Sequence, residues 1–596
     1  MISMSKKGRE AVTIMGESNG KPNYRLKSVK AHKLIDEETG ILSIANIKSG
    51  NCLSRRDFIK SSGTLMTALG MSQLLAGCYG GGGNSMSPVV STTNGRVRGA
   101  WEKGIAVFRG VRYAAAPVGP LRFRPPAPPE RWDGVRDATN FGPVSPQPKA
   151  PGAFAEIFSS TLPQGDDCLN LNIWTPDPGA ANLPVMVWIH GGGFMIGSGA
   201  DSYYDGRSFA RDGVVCVTIN YRLGILGFLH VDGEGAGAYG MLDQIAALRW
   251  VQENIASFGG DPGKVTIAGE SAGGMAVGLL LTAPGARGLF RRAILQSGAA
   301  HHGLLVDSEQ RVTRGFCKVA GVAPDDADAL RQIPTERLVE LQASFFNEVV
   351  ATPDVGLWGA EVVVTGMPFQ PEIGGDFIGR RSIEAVADGV ASDIDLLIAH
   401  TREEFRLLLG ADPSPLITME VVKGVYEASF PGRGAEVFGI YAAGRPGADP
   451  IEMYAALETD RMFRVPAVRL AEAQSRYNPA TYFCRLSWRS PVFDGRVGAG
   501  HAIDLPFMWD NLENKQAAAL VGSNPPVHIA EEMHRSWVSF ISSGNPNNPK
   551  VPAWPSYNTE SKAIMDFGDS PRVLNAPEFN EVALWDGLLL YQQSTA

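Results

Sequence analysis

Cysteine is scarce in this chain, six residues in 596. So few in so long a sequence do not make a disulfide framework. No internal stretch is apolar for long enough to span a bilayer. Charge is modest, at 19% of residues, and the net value is −8. The first sixty positions carry twelve Lys/Arg against six Asp/Glu, which leaves the remainder near −14. A body that acidic argues against a nucleic-acid partner. What the chain has in quantity is glycine, 69 residues, and an apolar share of 44%. That is an ordinary globular composition with ample material for a large core. Length alone would allow about three or four domains, although large α/β folds often exceed that prior.

Residues 1–53 are polar, mixed in charge and without a convincing period. They read as a disordered extension or as an over-long start assignment, with Met4 and Met15 as other starts. Ser54-Arg55-Arg56-Asp57-Phe58-Ile59-Lys60 follows, then a weakly apolar, uncharged run to Gly77. This segment resembles a bacterial twin-arginine export signal, in which a receptor reads the arginine pair. A buried amphipathic helix with two surface arginines is the other reading. Leu75-Ala76-Gly77-Cys78 resembles a lipoprotein cleavage box, which would leave Cys78 as a lipidated N-terminus. The small residues before it also suit an ordinary signal-peptide site. The division expected is therefore 1–53, a signal over 54–78, a Gly-rich tether over 79–87, and one globular domain over 88–596. Such a protein would be exported to the periplasm or the exterior, and acyl chains on Cys78 would hold it at a membrane surface.

The globular part is organised around Gly269-Glu270-Ser271-Ala272-Gly273. An apolar β-type run, Val265-Thr266-Ile267-Ala268, precedes it, and Gly274-Met275-Ala276-Val277 reads as the start of a helix. Gly-x-Ser-x-Gly at a strand-to-helix turn is a nucleophile elbow, whose tightness leaves no room for side chains two residues from the serine. The pentapeptide alone also arises by chance in a Gly-rich chain; the flanking strand and helix favour the functional reading. Upstream, Pro184-Val185-Met186-Val187-Trp188-Ile189 suits a strand buried on both faces. It ends in His190-Gly191-Gly192-Gly193-Phe194, either a flexible turn or a loop whose bare amides approach a developing oxyanion. Val214–Asn220 is the next core strand, and helical spacing appears at Met241, Ile245, Leu248 and Ile255. Strand–helix–strand alternation predicts a largely parallel sheet with helices on both faces. Asp166–Trp174 alternates polar and apolar residues and reads as a further strand. The region 300–480 is more helical.

A serine hydroxyl needs a base, and the base needs an acid to fix its tautomer. Downstream of Ser271 stand His301, His302, His400, His501, His528 and His534. Sequence physics alone does not choose among them, but His501 lies in a Gly-rich loop, Gly498-Ala499-Gly500-His501-Ala502-Ile503-Asp504. His301 and His302 follow the expected strand Ala293–Gly298 and are expected near the mouth of the site. The acid candidates are Glu404, Glu403 or an aspartate elsewhere; adjacent acids such as Glu403 and Glu404 also suit a solvated helix start.

Several of these motifs, with Phe108-Arg109-Gly110-Val111-Arg112-Tyr113-Ala114 and the closing Trp537-Val538-Ser539-Phe540 and Asn545-Pro546, resemble type-B carboxylesterases, the cholinesterase-like family. The similarity runs from about Val89 to the C-terminus. It implies a single α/β-hydrolase domain: a large, mostly parallel sheet flanked by helices, with the active site at the C-terminal strand edge under loop and helix insertions. It implies hydrolysis of small-molecule carboxylic esters by Ser271, His501 and Glu404, with oxyanion donors at Gly192, Gly193 and Ala272, and with no metal or organic cofactor. His190 becomes a structural hydrogen-bonder. Two glycines of the family's acid motif are replaced, by Ala399 and Phe405. The cysteine that pairs with Cys168 in many relatives is replaced by Ser145, so Cys168 is expected as a buried free thiol. Cholinesterases stack choline on a tryptophan; between Pro148 and Asp167 this chain has Phe154 and Phe158 instead. A choline-ester preference is therefore not expected, although Trp358 could supply an aromatic wall. An amidase or transacylase with the same triad, and a non-catalytic binding protein on the same scaffold, are the alternatives.

Overall fold

The structure is a computed structural model that describes residues 86–149, 160–231, 237–409 and 416–588. The extension, the export signal, Cys78, most of the tether, Phe154 and Phe158 lie outside the described residues.

Eleven strands form the central sheet. In chain order they are β1 (Ala100–Glu102), β2 (Ile105–Arg112), β3 (Asn170–Thr175), β4 (Leu183–Ile189), β5 (Val215–Ile219), β6 (Gly260–Glu270), β7 (Arg292–Gln296), β8 (Asp395–Thr401), β9 (Thr481–Leu486), β10 (Ala563–Phe567) and β11 (Arg572–Asn575). Their order across the sheet is β1-β2-β3-β5-β4-β6-β7-β8-β9-β10-β11. The run from β5 to β10 is parallel throughout. The strands at the two edges pair antiparallel. A three-stranded sheet (Val89–Ser91, Arg96–Arg98, Val135–Asp137) packs beside it.

Period two along the central strands explains why both faces are covered. In β4, Val185, Val187 and Ile189 join one hydrophobic core, while Met186 and Trp188 join the other. In β6, Val265 and Ile267 face the first core and Ala268 the second. Helices Tyr239–Asn254 and Ala272–Leu280 fill the first core, and helix Val527–Ser543 fills the second. Such strands read as continuous apolar runs because neither face meets water.

One strand departs from the expectation. The alternation over Asp166–Trp174 reads as a strand along its whole length, but β3 begins only at Asn170, and all six of its residues are buried. Its asparagines face inward because they serve backbone groups that the ladder leaves unpaired. Asn172 Oδ1 accepts from the Gly110 amide at 3.0 Å, where β2 slips register between Phe108 and Val111. Asn170 Nδ2 donates to Pro143 O at 2.9 Å.

Cys168 is a buried free thiol, as expected, and burial pushes its pKa up to about 12. Trp358 does not form an open aromatic wall. It is 5% exposed, stacks edge-on against Phe345 at 5.5 Å, and donates from Nε1 to Thr352 O. Among the described residues no helix is long and apolar enough to cross a membrane.

Candidate active site

β6 ends at Glu270, and helix Ala272–Leu280 begins two residues later. Between them Ser271 has φ 56° and ψ −127°, a region that costs roughly 1–3 kcal/mol and persists only where the surroundings enforce it. The enforcement is visible. The Ser271 amide donates to Gln296 O at 2.9 Å, and its carbonyl accepts from Met275 N at 2.8 Å. A Cβ on Gly273 would lie 2.0 Å from Ile189 O, so the helix can approach β4 only without a side chain there.

The glycine loop after β4 lies against this turn. A Cβ on Gly191 would stand 2.7 Å from Glu270 O and 3.0 Å from Ser271 Cβ. Gly192 has φ 105°, and a side chain there would strike Ile196 O at 2.1 Å. The loop's backbone is thus pressed against the serine turn. His190 stacks on Tyr221 at 4.5 Å and its Nδ1 contacts Gly191 O; burial lowers its pKa to about 4. It is a neutral structural group.

Among the histidine candidates, His501 is the one hydrogen-bonded to Glu404, with Nδ1 to Oε2 at 2.6 Å. The His501 amide also donates to Glu404 O at 3.0 Å. Glu404 is fully buried just beyond β8, so the solvated helix start does not describe it. Its Oε1 accepts from Ser297 Oγ and from the Thr401 amide, both at 2.7 Å. Burial would raise this carboxyl, but the bonds from His501, Ser297 and Thr401 outweigh it and hold it below its ordinary value.

Glu403 does a different job. Its carboxylate accepts from the Ala499 amide at 2.9 Å and its own amide donates to Ala499 O at 2.8 Å, which ties the histidine loop to the end of β8. The other histidines are engaged elsewhere. His534 meets Asp212 at 3.0 Å and Met508 O at 2.8 Å, and His528 contacts Asp569 O. His400 contacts Thr401 O, and burial holds it at about 4. His301 and His302, expected near the mouth, are both buried.

The sequence reading missed three groups around His501. Glu270 Oε1 lies 3.1 Å from His501 Nε2. Burial pushes Glu270 up to about 8; burial would lower His501, but Glu270 and Glu404 raise it, to about 9. The two therefore titrate as a coupled pair. Asp504 accepts from Gln296 Nε2 at 2.6 Å, Gln296 accepts from Trp537 Nε1 at 2.9 Å, and burial raises Asp504 to about 6. The Phe463 ring lies 4.9 Å from the imidazole. Glu270 and Asp504 were in view, one inside the serine pentapeptide and one at the end of the histidine motif. Nothing in the sequence marked Phe463. Among the described residues no group of three or more His, Cys, Asp or Glu is placed to hold a metal ion.

A parallel-centred sheet with a strained serine between β6 and its helix, and a histidine–carboxylate pair delivered by later loops, defines an α/β-hydrolase. Comparison with known proteins agrees. The carboxylesterase family model matches residues 86–585, and the chain belongs to that family. It is 36% identical to a para-nitrobenzyl esterase of Bacillus subtilis (strain 168) over 507 residues, 82% of this chain and 96% of that relative. It is 36% identical to a phenmedipham hydrolase of Pseudarthrobacter oxydans over 491 residues, 81% of this chain and 95% of the relative. A solved carboxylesterase of Geobacillus stearothermophilus superposes with TM-score 0.72 at 38% identity, covering 85% of this chain and all of the other. The chain is a carboxylic ester hydrolase.

Proposed function

We propose that this esterase works through an acyl-enzyme made by Ser271, with His501 as base and Glu404 as the group that orients it. His501 Nε2 takes the Ser271 proton as Oγ attacks the ester carbonyl. Amides of Gly192, Gly193 and Ala272 receive the tetrahedral oxyanion; one such donor is typically worth about 10²–10³ in rate. His501 then protonates the leaving alcohol and activates the water that releases the acid. The observation that carries this reading is the 2.6 Å bond from His501 Nδ1 to a buried Glu404 whose other oxygen is also satisfied. It fixes the proton on Nδ1 and leaves Nε2 as the reactive nitrogen. Apolar walls support an apolar substrate: Phe463 on the imidazole, and Met367 Sδ 3.8 Å from where a Gly193 Cβ would be. The para-nitrobenzyl ester in one relative's name is a natural first substrate.

The test is hydrolysis of para-nitrobenzyl and graded p-nitrophenyl esters, acetate to palmitate, by the wild type and Ser271→Ala. A loss of about 10⁴-fold or more in kcat with retained fold is expected. Equal rates in both proteins would remove Ser271 from the mechanism.

The same reading extends to the N-terminus. Arg55-Arg56 and Leu75-Ala76-Gly77-Cys78 support export by the twin-arginine route and acylation of Cys78, with 79–87 as a tether to a single catalytic domain over 88–596. Cell fractionation tests it: Arg55→Lys with Arg56→Lys retains the protein in the cytoplasm, and Cys78→Ser releases it from membranes.

A further inference from the structure

The chain from Pro450 to Ser475 is one continuous helical run interrupted by a wide turn at Asp460–Arg464. In that turn the Val465 amide donates to Asp460 O, five residues back. The cause is local. Pro466 has no N–H, and its ring would crowd the carbonyl four residues earlier, at Met462, so the helix widens by one residue ahead of it.

The widened turn carries two consecutive residues with different partners. Phe463, 3% exposed, lies on the His501 ring at 4.9 Å. Arg464, 4% exposed, reaches Glu581 Oε2 at 2.6 Å, Glu578 at 3.5 Å, and Asp460 one turn back. Glu581 is also gripped by Arg445, at 2.6 and 2.9 Å. Asp460 accepts from Tyr441 OH, which in turn accepts from Trp585 Nε1 at 3.0 Å. Glu578, Glu581 and Trp585 belong to the closing segment of the described chain. Two of these carboxylates therefore hold the residue next to the one that covers the base.

Resting on the reading of His501 as the base, we infer that Arg464 and Glu581 are positioning residues, which hold the wide turn so that Phe463 stays seated on the imidazole. A turn with one extra residue has an alternative register close by, the ordinary helical one, and Arg464 is the point at which its own is pinned. The seated ring keeps water from the His501 face and so disfavours the imidazolium. The charged groups that face His501 are Glu404, Glu270 and Asp504; neither Arg464 nor Glu581 is among them. Two routes of influence thus differ in sign. Loss of the Glu581 anion acting through space would lower the His501 pKa. Loss of its grip, acting through a displaced Phe463, would raise it.

The experiment is the pH profile of kcat/KM for the full chain and for Glu581→Gln, Phe463→Ala and the double variant, with thermal unfolding measured in parallel. We expect Glu581→Gln and Phe463→Ala each to move the acid limb up by about half a unit. The plateau of each falls about five-fold, and the double variant moves no further than Phe463→Ala alone. An unmoved limb, a downward shift, or additive shifts in the double variant would overturn the inference, whatever the loss of stability. If Glu581→Gln does not fold, Tyr441→Phe removes one bond to Asp460 and must shift the limb in the same direction. His501→Gln separates the two readings. Substantial activity in it would remove the base reading and this one together, whereas an inactive His501→Gln with an unmoved limb in Glu581→Gln would remove only this one.

Discussion

Two buried charge clusters lie on either side of Phe463, and they are built on opposite principles. At the active site, three carboxylates, Glu270, Glu404 and Asp504, surround one imidazole, all nearly inaccessible. Behind the wide turn, Arg445, Arg464 and Arg485 interleave with Asp460, Asp566, Glu578 and Glu581. In the second cluster the charges have partners: arginines hold Asp566 and Glu578 below their ordinary values, while burial pushes Asp460 up. In the first, negative charge is under-compensated, and burial lifts Glu270 to about 8 and Asp504 to about 6. A protein keeps buried acids without counter-ions where protons must move. It pairs them where the task is to join elements of structure.

The contrast breaks most sharply at Glu404. In Glu404→Gln the side chain keeps its shape but loses its charge, and the His501 tautomer is no longer enforced. A fall of about 10⁴-fold in kcat is expected. Because His501, Ser297 and Thr401 hold this carboxylate in its charged form, the change also costs a little stability, about 1–2 kcal/mol. A large drop in unfolding temperature with modest loss of kcat would place Glu404 among the structural charges instead.

The converse holds at Asp566. It accepts from Arg485 Nε at 2.7 Å and is 1% exposed. Asp566→Asn leaves Arg485 partly unpaired in a buried site and is expected to cost about 3 kcal/mol. Urea unfolding measures that. The rate per folded molecule, counted by titration of the reactive serine, stays at the wild-type value, and so does the pH profile.

The same division explains what could be read from the chain beforehand. The backbone-built parts of the site were legible, because an elbow or a glycine loop demands particular residues within five positions. Gly269–Gly273 and His190–Phe194 are of that kind. The sheet was legible too, since buried parallel strands such as Val185–Ile189 admit only apolar side chains. The acid was harder: Glu403 and Glu404 are equivalent as residue types, only the family resemblance favoured Glu404, and the structure separates them by the burial of Glu404 and its bond to His501. Ser297, Phe463 and the arginine cluster left no mark. Their roles depend on which loops meet, as Ser297 meets Glu404 across 107 positions.

Glu270 gives the smallest effect and the finest test of the contrast. Its carboxylate lies 3.1 Å from His501 Nε2, and burial pushes it up to about 8, so the two groups titrate as a coupled pair. In the proposed mechanism His501 accepts the serine proton at Nε2, so the imidazole must first be neutral. An anion beside an imidazole raises the pH at which this happens. Glu270→Gln removes the anion and leaves Glu404 as the nearest negative charge. The sign follows: the His501 pKa falls, so the acid limb of kcat/KM moves to lower pH, by about one unit. Arg485 and Asp566, paired and remote from the imidazole, leave the limb where it is when altered. A limb that stays fixed in Glu270→Gln would mean that Glu270 is compensated by a partner of its own, and that the two clusters are less different than their pKa shifts make them.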